Sequence, residues 1–136
     1  IGTLGNAMDF GDITRAISGV FCVTNSTRGI IGGGEFPSTF DTTMDFVTMA
    51  PKGNAVVFGE LIEQNSNGYR LGGSASSPVR GCFMGGTNDS PSSNTVYNLI
   101  QYVNIMTQGN AVDFGDLTTT HGYVHIGNCS NAHGGL

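Results

Sequence analysis

Apolar residues fall in short blocks along the chain, "GVFCV", "GIIGGG", "DFVTMA", "GCFMGG" and "LIQYVNIM", each bounded by Gly, Asn, Ser, Thr or Pro. Blocks of this length between turn formers predict β-strands. None shows the 3.6-residue recurrence of an amphipathic helix. The pattern places strands near 20–23, 29–33, 44–50, 81–85 and 99–106 of an all-β chain.

A second pattern overlies the first. "GNAMDFGD" at 5–12 returns as "GNAVVFGE" at 53–60 and "GNAVDFGD" at 109–116. Each copy begins with Gly-Asn (Gly5 and Asn6, Gly53 and Asn54, Gly109 and Asn110), two residues that favour turns. An apolar residue (Met8, Val56, Val112) and an aromatic two positions on (Phe10, Phe58, Phe114) then point to one side of a strand. The Gly after the aromatic fits a bulge or bend. The three aromatics are expected at equivalent buried sites, with Ile30, Phe46, Phe83 and Tyr102 beside them.

Other segments keep the same phase. "STRGIIGGG" (26–34) matches "PVRGCFMGG" (78–86), and "MDFVTMAPKGNA" (44–55) matches "IQYVNIMTQGNA" (100–111). Repeat units of about 5–52, 53–108 and a partial 109–136 follow, in one repeat array. The longer middle unit carries its extra residues before Arg80 and in "TNDSPSSNTVYN", which reads as surface loop. Four short antiparallel strands per unit of about 40–50 residues is the layout of a β-propeller blade; another stacked β-repeat or a sandwich is the alternative. Gly32, Gly33 and Gly34, with Gly85 and Gly86, close the third strand-like piece of each unit, where backbone turns sharply or approaches a neighbour.

Composition narrows the functions. Charged residues are 11% of the chain and Gly accounts for 22 of 136, against about 25% charged and about 7% Gly in ordinary domains. The net charge of −5 and five scattered basic residues argue against nucleic acid, which needs clustered Lys and Arg. No apolar run is long enough to span a membrane. The chain opens on Ile1 rather than Met, which marks it as processed or as a piece of something longer.

The candidate chemistry is sparse. Two octapeptides contain Asp-Phe-Gly, yet the other parts of a kinase are missing, and Val57 replaces the Asp in the middle copy. Cys22, Cys82 and Cys129 lack paired spacing and read as small buried hydrophobes. A metal site of Cys129, His125 and His133 lacks an evident fourth ligand. Asp9 and Asp12 could begin a calcium site, though calcium wants six to eight oxygens and the middle copy keeps only Glu60. An enzyme would draw on His121, His125 and His133. No catalytic residue, metal or cofactor is assigned.

The combination "GNAxDFGDLT … STRGIIGGG … DFVTMA … GNCSNAHGGL" resembles a kelch-like repeat of structural proteins of marine bacteriophages, including tail fibres. That resemblance implies a non-enzymatic virion component at the particle surface, with copies of itself or other virion proteins as partners. The alternatives are a lectin-like module and a capsid-decorating protein. Phe36, Phe40, Tyr69, Tyr97 and Tyr123 are aromatics near loops that could stack on a host surface glycan. Fewer than three blades cannot close a ring, so a homo-oligomer or a segment of a longer fibre is expected.

Overall fold

The structure, a computed structural model, describes residues 5–36, 39–63, 70, 72–90, 93–122 and 129–130. The fold is all-β, and no helix occurs among these residues. β1 (Phe21–Thr24), β2 (Arg28–Gly32), β3 (Glu35–Phe36), β4 (Thr39–Phe40), β5 (Thr43–Thr48) and β6 (Val56–Glu60) form the first half. β7 (Gly73–Ser76), β8 (Arg80–Met84), β9 (Thr87–Ser90), β10 (Ser93–Val96), β11 (Leu99–Asn104) and β12 (Val112–Asp116) repeat the plan, and β13 (Cys129–Ser130) follows.

The first sheet is antiparallel in the order β1-β2-β5-β6. The second runs β12-β11-β8-β7-β13, its last pair parallel. Each sheet takes its outermost strand from the octapeptide that heads the next unit, so the sheets run out of phase with units counted from Gly5. The first octapeptide, 5–12, is not a strand: it precedes both sheets and has no strand partner among the described residues.

Two short hairpins, β3–β4 and β9–β10, leave the sheets between their second and third strands. The second corrects the reading of "TNDSPSSNTVYN" as loop. The extra residues there lengthen a hairpin that the first half already has, and its polar residues pair as strands with Thr87 and Asn88 buried.

The halves repeat several of their turn bonds. Asn25 N–H donates to Arg28 O as Ser77 N–H does to Arg80 O; Met49 pairs with Thr27 as Ile105 does with Val79. Gly33 and Gly34 have φ of 65° and 109°, and Gly85 and Gly86 have 63° and 107°. These are left-handed values that only glycine holds without strain. There the chain leaves β2 or β8 and enters its hairpin. Gly32 stays in the strand, where a Cβ would press within 2.8 Å of Met44 Cγ.

The core joins both sheets. Phe21, Val23, Ile30, Met44 and Phe58 meet Phe83, Leu99, Val103 and Ile105, and Phe21 packs edge-on against Phe83, ring centres 5.9 Å apart. Burial of the octapeptide aromatics is unequal, which corrects the expectation. Phe58 is 3% exposed, Phe10 37% and Phe114 55%. Phe46 and Tyr102 are half-buried. Local sequence cannot produce that inequality, because the copies are almost identical; what covers each copy does.

Candidate functional site

The octapeptides bind one another. Gly53 N–H donates to Phe10 O at 3.0 Å and Ala55 N–H to Asp12 O at 2.8 Å. Asn54 Oδ1 accepts from Asp12 N–H at 3.0 Å. The next pair repeats this: Gly109 N–H to Phe58 O at 3.0 Å, Ala111 N–H to Glu60 O at 2.8 Å, and Glu60 N–H to Asn110 Oδ1 at 3.1 Å. The Gly-Asn-Ala head of each copy thus clasps the Phe-Gly-Asp or Phe-Gly-Glu tail of the copy before it. Three hydrogen bonds satisfy the exposed edge of the tail, which would otherwise offer unpaired groups.

This clasp explains the residue types. A Cβ on Gly11 would lie 2.3 Å from Gly53 O, and one on Gly59 would lie 2.2 Å from Gly109 O. The tail glycine is therefore the point where the next head crosses. Asn supplies a carbonyl oxygen on a short stem, and Ala keeps the crossing low; Ala55 and Ala111 are both buried.

A second polar contact accompanies each clasp. Asp45, in the middle of β5 and fully buried, accepts from the Thr14 N–H at 3.2 Å and the Thr14 hydroxyl at 2.7 Å. Gln101, at the matching place on β11, accepts from Ile62 N–H at 2.7 Å. Arg15 adds a bond to Asp45 Oδ2 at 3.0 Å, one to Thr43 O at 2.6 Å, and a short ion pair with Asp41. Burial pushes the Asp41 carboxyl up, but the Thr43 N–H and hydroxyl and the Arg15 guanidinium outweigh it and hold the carboxyl below its ordinary 3.8. Sequence reading missed Asp45 and Gln101. Their signal was a polar residue recurring inside an otherwise apolar strand.

The faces of the sheets form the rest of the seam. Asn25 Nδ2 donates to Pro78 O at 2.9 Å, and the Arg28 guanidinium donates to Ile105 O and Met106 O at 3.3 and 3.0 Å. Arg28 also lies 4.7 Å over the Phe46 ring, and Arg80 lies 4.7 Å over Tyr102. Phe46 meets Phe58 edge-on as Tyr102 meets Phe114. On the first sheet this face is covered by the second. On the second sheet it opens into a concavity of about 530 Å³ lined by Ala75, Ser76, Arg80, Cys82, Phe114 and Cys129.

The other sequence candidates lie apart from one another. His121 is exposed, with its ring 3.0 Å from the Thr119 hydroxyl, and its backbone tethers Gly86 and Tyr97. His125, His133, Tyr69 and Tyr123 lie outside the described residues. Asp9 and Asp12 are exposed, and no group of three His, Cys, Asp or Glu able to hold a metal occurs among the described residues. Of the proposed stacking aromatics, Phe36 is 52% exposed, while Tyr97 is buried in the core. Phe40 carries Arg70 at 5.7 Å over its ring, and Arg70 pairs with Glu35 at 2.6 Å. Burial pushes the Cys22 and Cys82 thiols up; Cys129 is exposed.

No protein-family model matches this chain, and no curated protein matches it. Among solved structures it is similar to one described as "Structure of YjhT", with a TM-score of 0.66 and 15% sequence identity. The match takes in 88% of this chain and only 37% of that one. At this identity the likeness speaks to fold alone.

Proposed function

We propose that the chain is a non-enzymatic structural module, a kelch-like β-propeller segment in a surface appendage of a bacteriophage particle, such as a tail fibre. The observation that carries the structural part is the clasp, made twice with the same atoms and nearly the same lengths. The octapeptide is spent on holding each copy to the next, which leaves its Asp-Phe-Gly no catalytic task. Units that contact only their neighbours are the economy of repeat proteins. The two sheets also match little more than a third of a larger solved fold, which favours a segment over a complete ring. The virion assignment is supported by the resemblance of "GNAVDFGDLT" and "CSNAHGGL" to phage structural repeats.

Gold-labelled antibody against the chain tests this reading on purified particles of the encoding phage. Label on an external appendage is the expected result. A chain confined to the infected-cell lysate and missing from particles by mass spectrometry would overturn it. A glycan-reading role has one observation in its favour, the exposed Phe36 on its hairpin, opposite Thr39. Multivalent display on a glycan array separates the two, since no binding leaves the structural role alone.

A further inference from the structure

The second sheet carries a clasp site that nothing described occupies. β12 pairs with β11 in the same register as β6 with β5, Leu99 opposite Asp116 as Thr43 is opposite Glu60, with the same bulge one step before. Identical register aims identical groups away from the sheet. Phe114 O, Asp116 O and Asp116 N–H therefore face outward, as Phe58 O, Glu60 O and Glu60 N–H do. On β6 those three groups meet Gly109, Asn110 and Ala111. On β12 no described residue meets them. Gly115, the crossing point, has nothing within 4 Å of where a Cβ would stand, whereas Gly59 has Gly109 O at 2.2 Å.

The neighbouring face tells the same story. Val23, Asn25, Ile30 and Phe58 of the first sheet are all buried. Their counterparts Ala75, Ser77, Cys82 and Phe114 line the open concavity. Phe114 joins the two features, forming one wall of the concavity while its carbonyl belongs to the clasp. Its 55% exposure against 3% for Phe58 measures what is absent. A matching head is also free: Gly5, Asn6 and Ala7 are exposed, Ala7 where its counterparts Ala55 and Ala111 are buried, and they make no hydrogen bond to any described residue.

We infer that the β12 edge and its concavity form a docking site for the Gly5-Asn6-Ala7 head of a second copy of this chain. Gly5 and Ala7 N–H donate to Phe114 O and Asp116 O of the first copy, and Asn6 Oδ1 accepts from its Asp116 N–H. The incoming copy covers Phe114. The contact is heterologous, so each copy keeps one free tail or one free head, and association proceeds head to tail. The inference stands on the repeat geometry and needs no virion.

Two variants of the whole chain test it, each at an exposed position. Asn6→Ala removes the head's acceptor and leaves the tail; Phe114→Lys puts a charge into the seat and leaves the head. Each is first checked by circular dichroism for an unchanged sheet spectrum. In sedimentation equilibrium the wild-type chain should show concentration-dependent association beyond the dimer. Asn6→Ala should weaken it about tenfold, the order of one lost hydrogen bond, and Phe114→Lys more. An equimolar mixture should associate more tightly than Phe114→Lys alone, because the intact head of that variant can use the intact tail of the other, and it should form shorter assemblies than the wild-type chain. A wild-type chain that stays monomeric to roughly millimolar concentration overturns the proposal. So does association that neither variant weakens.

Discussion

Gly59 and Gly53 belong to one octapeptide, and the structure assigns them opposite tolerances. A Cβ on Gly59 would stand 2.2 Å from Gly109 O, a backbone atom of the residue whose N–H donates to Phe58 O, whereas one on Gly53 would meet nothing within 4 Å. Backbone cannot step aside as a side chain can. Gly59→Ala is therefore expected to cost about 1–3 kcal/mol, in the range of overpacked sites, and Gly53→Ala to stay within about 0.5 kcal/mol. Urea titration of the two variants checks the contrast, and equal midpoints would contradict the clasp geometry. Asp41 gives a second residue-scale outcome. Its carboxyl is held below 3.8 in the folded state, so the folded chain prefers it ionised more strongly than the unfolded chain does. That preference contributes stability above the unfolded value and is lost as pH falls through the folded one. Thermal melts between about pH 6 and pH 2 should thus fall less steeply for Asp41→Asn than for wild type. Parallel acid limbs would remove Asp41 from the account.

At the scale of elements, the clasps are separable units. Asn54 and Asn110 each supply one acceptor, to Asp12 and Glu60, and they share no partner. Asn54→Ala and Asn110→Ala should each cost about 0.5–1.5 kcal/mol, and the double variant should cost their sum within about 0.5 kcal/mol. A coupling larger than that in chemical denaturation would mean that one clasp sets the geometry of the other. The sequence made the strands themselves legible, because apolar blocks between turn formers need no knowledge of neighbours. Phe21–Thr24, Arg28–Gly32 and Leu99–Asn104 fall where the blocks put them. It also made the equivalence of Phe58 and Phe114 legible, as in their matching edge-on contacts with Phe46 and Tyr102. Their unequal burial was not legible, since it depends on whether another head lies across the strand. The hairpin β9–β10 was missed for a related reason: its polar residues look like loop when read alone, and only its pairing partner makes them a strand.

For the molecule as a whole, charge decides how the proposed head-to-tail contact responds to salt. The first internal clasp brings the acidic tail of 5–12, with Asp9 and Asp12, against a middle copy whose only acid is Glu60. The second brings Glu60 against Asp113 and Asp116. Val57, standing where the outer copies have Asp, keeps each internal seam at three carboxylates. A second chain docking through Gly5-Asn6-Ala7 would set Asp9 and Asp12 against Asp113 and Asp116, all four exposed, between molecules of net charge −5 each. Like charges at an exposed contact oppose association, and salt screens them over a Debye length of about 30 Å at 0.01 M and about 8 Å at 0.15 M. The short backbone bonds of the clasp are little affected over the same range. Association should therefore tighten as sodium chloride rises from about 0.01 to about 0.15 M, read as a falling dissociation constant in sedimentation equilibrium. The opposite trend, weakening with salt, would mean that attraction to Arg80, the cation lining the concavity, outweighs the repulsion among the four carboxylates.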